Sequence, residues 1–186
     1  MKESRTILGI DPGTNLLGFG VVRVDPAGKP HYVDMGVLDL RKMPDIYQKL
    51  GIIHEKVGAL CDLHHPDDLA IESPFYAKNA QVLFKLGRAQ GAAIVAALNR
   101  DIPVYEYAPR KAKMAICGNG AASKEQVALI VERTLGINFA AKYLDATDAL
   151  ALAMCHYYQL TSPLISTKPA GSWEKFLEAN PDRVKK

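Results

Sequence analysis

A chain of 186 residues, 48% hydrophobic and 23% charged, has enough apolar side chains for one domain with its own core and too many for a disordered chain. No apolar run approaches a membrane span, and the opening MKESRT lacks the charged-then-apolar order of a signal peptide, so a cytoplasmic protein with no membrane partner is expected. The formal charge of +3 permits a polyanionic partner without requiring one, and Cys61, Cys117 and Cys155, odd in number and never in a CxxC pair, point away from a disulfide framework or a zinc site.

The first strand is expected over residues 6–10, after which Asp11-Pro12-Gly13-Thr14 reads as a turn. A second strand over 18–24, a turn at VDPAGKP and a third strand over 31–38 complete an antiparallel meander. Ile46, Leu50, Ile53, Val57 and Leu60 recur at helical spacing and predict a helix over 44–63 that ends before a loop, HHPDD. The run LAIES, 69–73, reads as a central fourth strand, 79–100 as a long alanine-rich helix and 104–107 as a fifth strand. Helices follow over 111–116, over 123–135 with Ser123 as N-cap, and over 144–159. The pattern predicts an α/β domain, residues 1–160, on a five-stranded mixed sheet: three antiparallel strands, then two joined by helical crossovers. Residues 161–186 read as a linker and tail with nothing tying them to the core and are open to disorder; Trp173, Phe176 and Leu177 make at most one amphipathic turn there.

Four acidic residues stand out. Asp11 ends the first strand among apolar and small neighbours, Glu72 ends the fourth, and Asp145 and Asp148 open the last helix at a spacing that puts both on one face. Adjacent first and fourth strands with the last helix packed on them would make all four converge. Like charges that close are tolerated at neutral pH only with bound cations or protonated members, and all-oxygen ligands suit Mg2+ or Mn2+ rather than zinc. Two such ions about 4 Å apart can activate a water and stabilise the leaving oxygen of a phosphodiester. Each residue also has an ordinary explanation: a turn residue at Asp11, a solvated strand end at Glu72, an N-cap and a first-turn acid at Asp145 and Asp148. Metal-assisted hydrolysis of a phosphate ester accounts for all four together.

The stretches GIDPGTNLLGFGVV, AIESPFYAKNAQ, KLGRAQGAAIVAALN, VYEYAPRKAKMAICGNGAASKEQV and DATDALALAMCH, in that order between about residues 6 and 160, resemble the RuvC family of Holliday junction resolvases. The resemblance implies an RNase H-like fold, a homodimer with the long helix in its interface, and paired Mg2+-dependent nicking of four-way DNA junctions in recombination and repair. It also implies two Mg2+ per subunit, with Mn2+ as a substitute, and branch-migration motor proteins as partners. The family's catalytic, metal-holding carboxylates fall on Asp11, Glu72, Asp145 and Asp148. Phe75 falls where the family carries an aromatic wedge that enters the junction, although Ser73-Pro74 departs from the bulkier residues usual before it.

Basic residues supply the other half of a DNA-binding reading. Arg110, Lys111, Lys113 and Lys124 surround the loop ICGNGAAS, and Lys78, Lys85 and Arg88 follow Phe75. Singly they read as solvated surface; beside an acidic metal site they read as phosphate contacts, and the resemblance carries Lys113 and Lys124 over directly. Ala89, Ala92, Ala93, Ala96 and Ala97 would let the long helix approach a partner closely, or make it a core helix. Three alternatives remain open at this stage: an actin-like ATPase or sugar kinase, whose first phosphate loop GIDPGT also resembles; an RNase H-like nuclease acting on RNA; and a junction-binding module without catalysis.

Overall fold

The computed structural model describes residues 3–74, 80–137 and 144–161. Strands β1 (Arg5–Asp11), β2 (Leu16–Val24), β3 (Pro30–Asp39), β4 (Asp68–Glu72) and β5 (Val104–Tyr107) form one sheet in the order β3-β2-β1-β4-β5. β1 pairs antiparallel with β2, and β2 with β3; β1 and β4, and β4 and β5, run parallel. The mixed sheet expected from the pattern is therefore the one observed, with β1 at its centre. Helices α1 (Ile46–His64) and α2 (Ala80–Leu98) join the strands on one face; α3 (Pro109–Cys117), α4 (Lys124–Leu135) and α5 (Leu144–Thr161) cover the other. Thr161, the first residue of the predicted tail, instead ends α5, while residues 162–186, Phe75 and Lys78 lie outside the described residues.

Alternation along β1 sorts its side chains between two cores. Leu8 and Ile10 pack with Ile53, Val57, Ala93 and Ala97 of α1 and α2, while Ile7 packs with Leu150, Met154 and Val131 on the opposite side. Asp11 follows Ile7 and Gly9 in that alternation and so belongs to the α5 face. It is also a strand residue, paired with Gly18, because β2 begins at Leu16 rather than at Gly18 and the turn is confined to residues 12–15. Ser123 caps α4 as expected, its side chain accepting from the Gln126 amide while the Gln126 side chain accepts from the Ser123 amide.

α5 is buried along most of its length, from Ala146 to His156 with only Asp148 partly exposed. It lies nearly in contact with the strand backbones, because the sheet carries Gly9, Gly18 and Gly20 where the helix crosses it. A Cβ on Gly9 would stand 1.9 Å from the Ala149 carbonyl oxygen, and one on Gly18 would stand 2.1 Å from that of Asp145. This close approach draws the first turn of α5 down to the end of β1.

The other end of α5 is pinned by a buried polar chain. Asp68, fully buried at the start of β4, accepts two hydrogen bonds from the Arg5 guanidinium. His156 Nε2 stands 3.2 Å from the same carboxylate, and His156 Nδ1 is 2.6 Å from the Tyr107 hydroxyl on β5. Burial works to raise the Asp68 carboxyl, but the neighbouring His156 and the hydrogen bonds from Arg5 outweigh it and hold the group below its ordinary range. Asp68 is thus not part of a loop, as the HHPDD stretch suggested. The period-two alternation Asp68, Ala70, Glu72 was the available signal that it shares a face with Glu72.

Candidate active site

Ile10 and Ile71 are the last paired couple of β1 and β4. Asp11 and Glu72 each come one residue later, so two carboxylates emerge side by side from the carboxyl ends of adjacent parallel strands, where open α/β sheets place their ligands. Asp145 and Asp148 reach the same spot from the first turns of α5. One ligand oxygen each from Asp11, Asp145 and Asp148 can be chosen so that all lie within 4.8 Å of one another. Glu72 stands outside that set but lines the same cavity of about 210 Å3, with Asp11, Asp148, Lys113 and Lys124.

The charges in this cavity act on one another. Burial, followed by repulsion from Glu72 and Asp148, pushes the Asp11 carboxyl up to about 7. Glu72 also rises to about 7, through burial and then the charge of Asp148. Burial raises Asp148 too, against the opposing hydrogen bond and charge of Lys124. Three acids held above their usual range in one cleft mark a place where negative charge is concentrated beyond what the protein alone neutralises. Lys124 answers part of it: its Nζ lies 2.5 Å from Asp148 Oδ2 and 3.4 Å from Asp145 Oδ1, and its own pKa is raised.

The carboxylate oxygens fit a hard divalent cation with oxygen ligands, and such an ion would offset both the burial of these acids and their mutual repulsion. Among the described residues no thiolate or imidazole lines the cavity, so they offer no zinc-type donor set there.

The predicted basic residues divide. Lys113 and Lys124 line the acidic cavity. Lys111 instead lies over the Tyr107 ring, 5.1 Å from its centroid, and the Arg110 side chain packs where a Cβ on Gly120 would be. Lys85 opens onto a different cavity, and Arg88 is exposed on α2. Sequence reasoning passed over Lys49, a buried lysine of α1 whose Nζ donates to the Thr14 carbonyl and the Asn15 side chain. It reads as one more polar residue between Ile46 and Leu50, and only the fold turns it inward.

A sequence model described as "Crossover junction endodeoxyribonuclease RuvC" matches residues 7–156. The chain belongs to the RuvC family. The crossover junction endodeoxyribonuclease RuvC of Bacteroides fragilis is 51% identical over 98% of this chain and 97% of the relative, and that of Christiangramia forsetii is 48% identical over 100% and 95%. The solved structure titled "T. thermophilus RuvC in complex with Holliday junction substrate" superimposes with a TM-score of 0.77 at 35% identity, covering 84% of this chain and 94% of that one. The fold of this family member is RNase H-like, and its activity is that of a crossover junction endodeoxyribonuclease, a metal-dependent nuclease of DNA recombination and repair.

Proposed function

We propose that this RuvC family member resolves four-way DNA junctions at the cavity between β1, β4 and α5, with Asp11, Glu72, Asp145 and Asp148 as the residues that hold two Mg2+ ions. The observation that carries the reading is the convergence of Asp11, Asp145 and Asp148 within 4.8 Å from two distant parts of the chain. Mn2+ has the same preference for carboxylate oxygen and would substitute. When bound, such ions activate a water toward the scissile phosphorus and stabilise the leaving oxygen.

The chain's own groups do the rest. Asp11 and Glu72, held on strand ends, give the cation site a rigid base, while Asp145 and Asp148 close it from the helix. Lys113 and Lys124 present positive charge at the rim, where a phosphodiester must approach four acids. With cations in place, Lys124 is free to exchange its carboxylate partners for a phosphate oxygen. Phe75, three residues beyond Glu72 in sequence, is assigned by resemblance to stacking on a base at the crossover. Lys78, Arg88, Arg110 and Lys111 are assigned to the outer DNA contacts, with Lys85 taken up below.

A homodimer through α2 completes the reading. Ala89, Ala93, Ala96 and Ala97 are fully buried against the chain's own core, so they are not the free face. The free face is a stripe: Phe84 (71% exposed), Val95 (48%) and Leu98 (54%), with Gly87 and Gly91 between them at helical spacing and open space where their Cβ atoms would be. Two such stripes can cross closely, and a two-fold dimer presents two active sites to a substrate that is itself nearly two-fold. Branch-migration motor proteins remain partners by resemblance alone. No described helix is long and apolar enough to cross a membrane, and work on DNA suits the cytoplasm.

The test compares cleavage by the full chain of a four-way junction, a linear duplex and an RNA–DNA hybrid, each with Mg2+ and with EDTA. Paired nicks in the junction alone, lost with EDTA and in Asp11→Asn while junction binding persists, are expected. Undiminished cutting by Asp11→Asn would overturn the site assignment, and preferential cutting of the hybrid would move the substrate to RNA.

A further inference from the structure

A second cavity, of about 280 Å3, opens on the opposite side of the sheet edge, between the amino-terminal parts of α1 and α2. Its floor includes Thr14 and Asn15, in the loop that leads from Asp11 into β2. Lys49 from α1 and Lys85 from α2 line it, and among the described residues no acidic one does.

Lys49 is the unusual element. Only 9% exposed, its ammonium donates to the Thr14 carbonyl oxygen at 2.8 Å and to Asn15 Oδ1 at 3.3 Å. Both are neutral acceptors, and an ammonium has three protons to place. A buried cation with no opposite charge is costly. Asp45, the nearest acid along α1, is engaged in capping that helix through the Gln48 amide. The helix dipoles add to the effect, because both α1 and α2 begin at this end of the sheet and point their positive ends the same way. Two cations and two helix amino ends, without a carboxylate, make a pocket suited to an anion.

Thr14 is three residues from Asp11, so their Cα atoms are separated by at most about 11 Å. A nucleic acid strand rises roughly 3.4 Å per nucleotide. An anion held by Lys49 and Lys85 is therefore within a few nucleotides of a phosphate being cut at Asp11.

We propose that Lys49 and Lys85 form a phosphodiester subsite that grips the cut strand a few nucleotides from the scissile phosphate, and that Lys49 transmits this grip to the Asp11 loop through its hydrogen bonds to Thr14 and Asn15. As a contact to the cut strand, this subsite presupposes the junction-cutting function above. Its effect is register: the strand is held at two points across the loop that carries Asp11.

Lys85 is exposed, so Lys85→Met removes its charge without disturbing the core. The experiment measures junction binding by the full chain in EDTA over a salt series, using junctions with single uncharged methylphosphonates at successive positions on either side of the cut. Lys85→Met is expected to bind more weakly and to lower the slope of log K against log[salt] by about one. One methylphosphonate within a few nucleotides of the cut should weaken the wild type and cost Lys85→Met nothing further. Lys49→Gln, if folded by circular dichroism, should lose its sensitivity at that same position; Lys85→Met decides the matter if it is not. A full salt slope in Lys85→Met, or additive losses at every position, overturns the subsite. So does a shift of Lys85→Met to monomer in sedimentation with the slope unchanged, which assigns the lysine to an interface. Inorganic phosphate that raises the melting temperature of the wild type but not of Lys85→Met, without any methylphosphonate coupling, makes this a free-phosphate site and also overturns it. Failure of the junction-cutting reading is separate: the wild type with Mg2+ would leave the unmodified junction uncut.

Discussion

Lys124 Nζ lies 2.5 Å from Asp148 Oδ2, so an ammonium from α4 serves as the internal counter-ion of a carboxylate on α5. The pair ties two elements across the acidic cavity. Removing the cation leaves Asp11, Glu72 and Asp148 with less to offset their repulsion. Lys124→Met should lower the melting temperature of the metal-free protein at pH 8 by several degrees, a difference that millimolar Mg2+ narrows because the ion supplies the missing charge. Junction cleavage should fall by about two orders of magnitude, as for loss of one electrostatic contact to the reacting group. An unchanged melting curve would deny Lys124 its counter-ion role.

The acids themselves set a pH dependence. Asp11 and Glu72 titrate at about 7 in the fold, against ordinary values of 3.8 and 4.5. Between those limits the folded chain binds more protons than the unfolded one, so these two groups make stability fall as pH rises through that window, and the loss is complete above it. Metal-free Asp11→Asn should therefore melt higher than the wild type at pH 8 and about the same at pH 4. Mg2+ should stabilise the wild type at pH 8 and have far less effect on the variant. Differential scanning calorimetry in EDTA and in Mg2+ reads both; an Asp11→Asn variant less stable than wild type at pH 8 would contradict the repulsion.

The seating of α5 depends on a missing side chain. With a Cβ on Gly18 only 2.1 Å from the Asp145 carbonyl oxygen, the helix must lift in Gly18→Ala. A loss of roughly 1–3 kcal/mol, the usual range for overpacking, is expected in urea denaturation. The displaced turn carries Asp145, so half-maximal cleavage should need more Mg2+. Wild-type metal dependence in Gly18→Ala would show that Asp145 tolerates the shift.

The exposed stripe on α2 predicts the assembly. Phe84→Glu places a charge at the amino-terminal end of the proposed crossing and should convert dimer to monomer in analytical ultracentrifugation, with little change in melting of the monomer because Phe84 is 71% exposed. Simultaneous nicking of both strands should be lost before single nicks are. A dimer that survives this change would place the interface elsewhere.

Much of this architecture can be read along the chain because its signals are local. The apolar runs at Ile7, Ile71 and Val104, the 3.6-residue recurrence from Ile46 to Leu60, and the Ser123 cap all act over a few residues, and each became the expected element. The three-residue spacing of Asp145 and Asp148 likewise fixes their common side on α5.

What no local pattern contains is adjacency. That β4 lies beside β1 rather than beside β3, which brings Glu72 to Asp11, follows from the crossover through α1. That α5 descends onto Gly9 and Gly18 is a packing fact between segments more than a hundred residues apart. The burial of Asp68 with Arg5 and His156, and of Lys49 beneath the Asp11 loop, belongs to the same class. The sequence by itself determined which side chains are acidic, basic or apolar and the short-range conformations they prefer. Tertiary structure decided which of those charges meet, because the cost of burying a charge depends on neighbours that only the folded chain assembles.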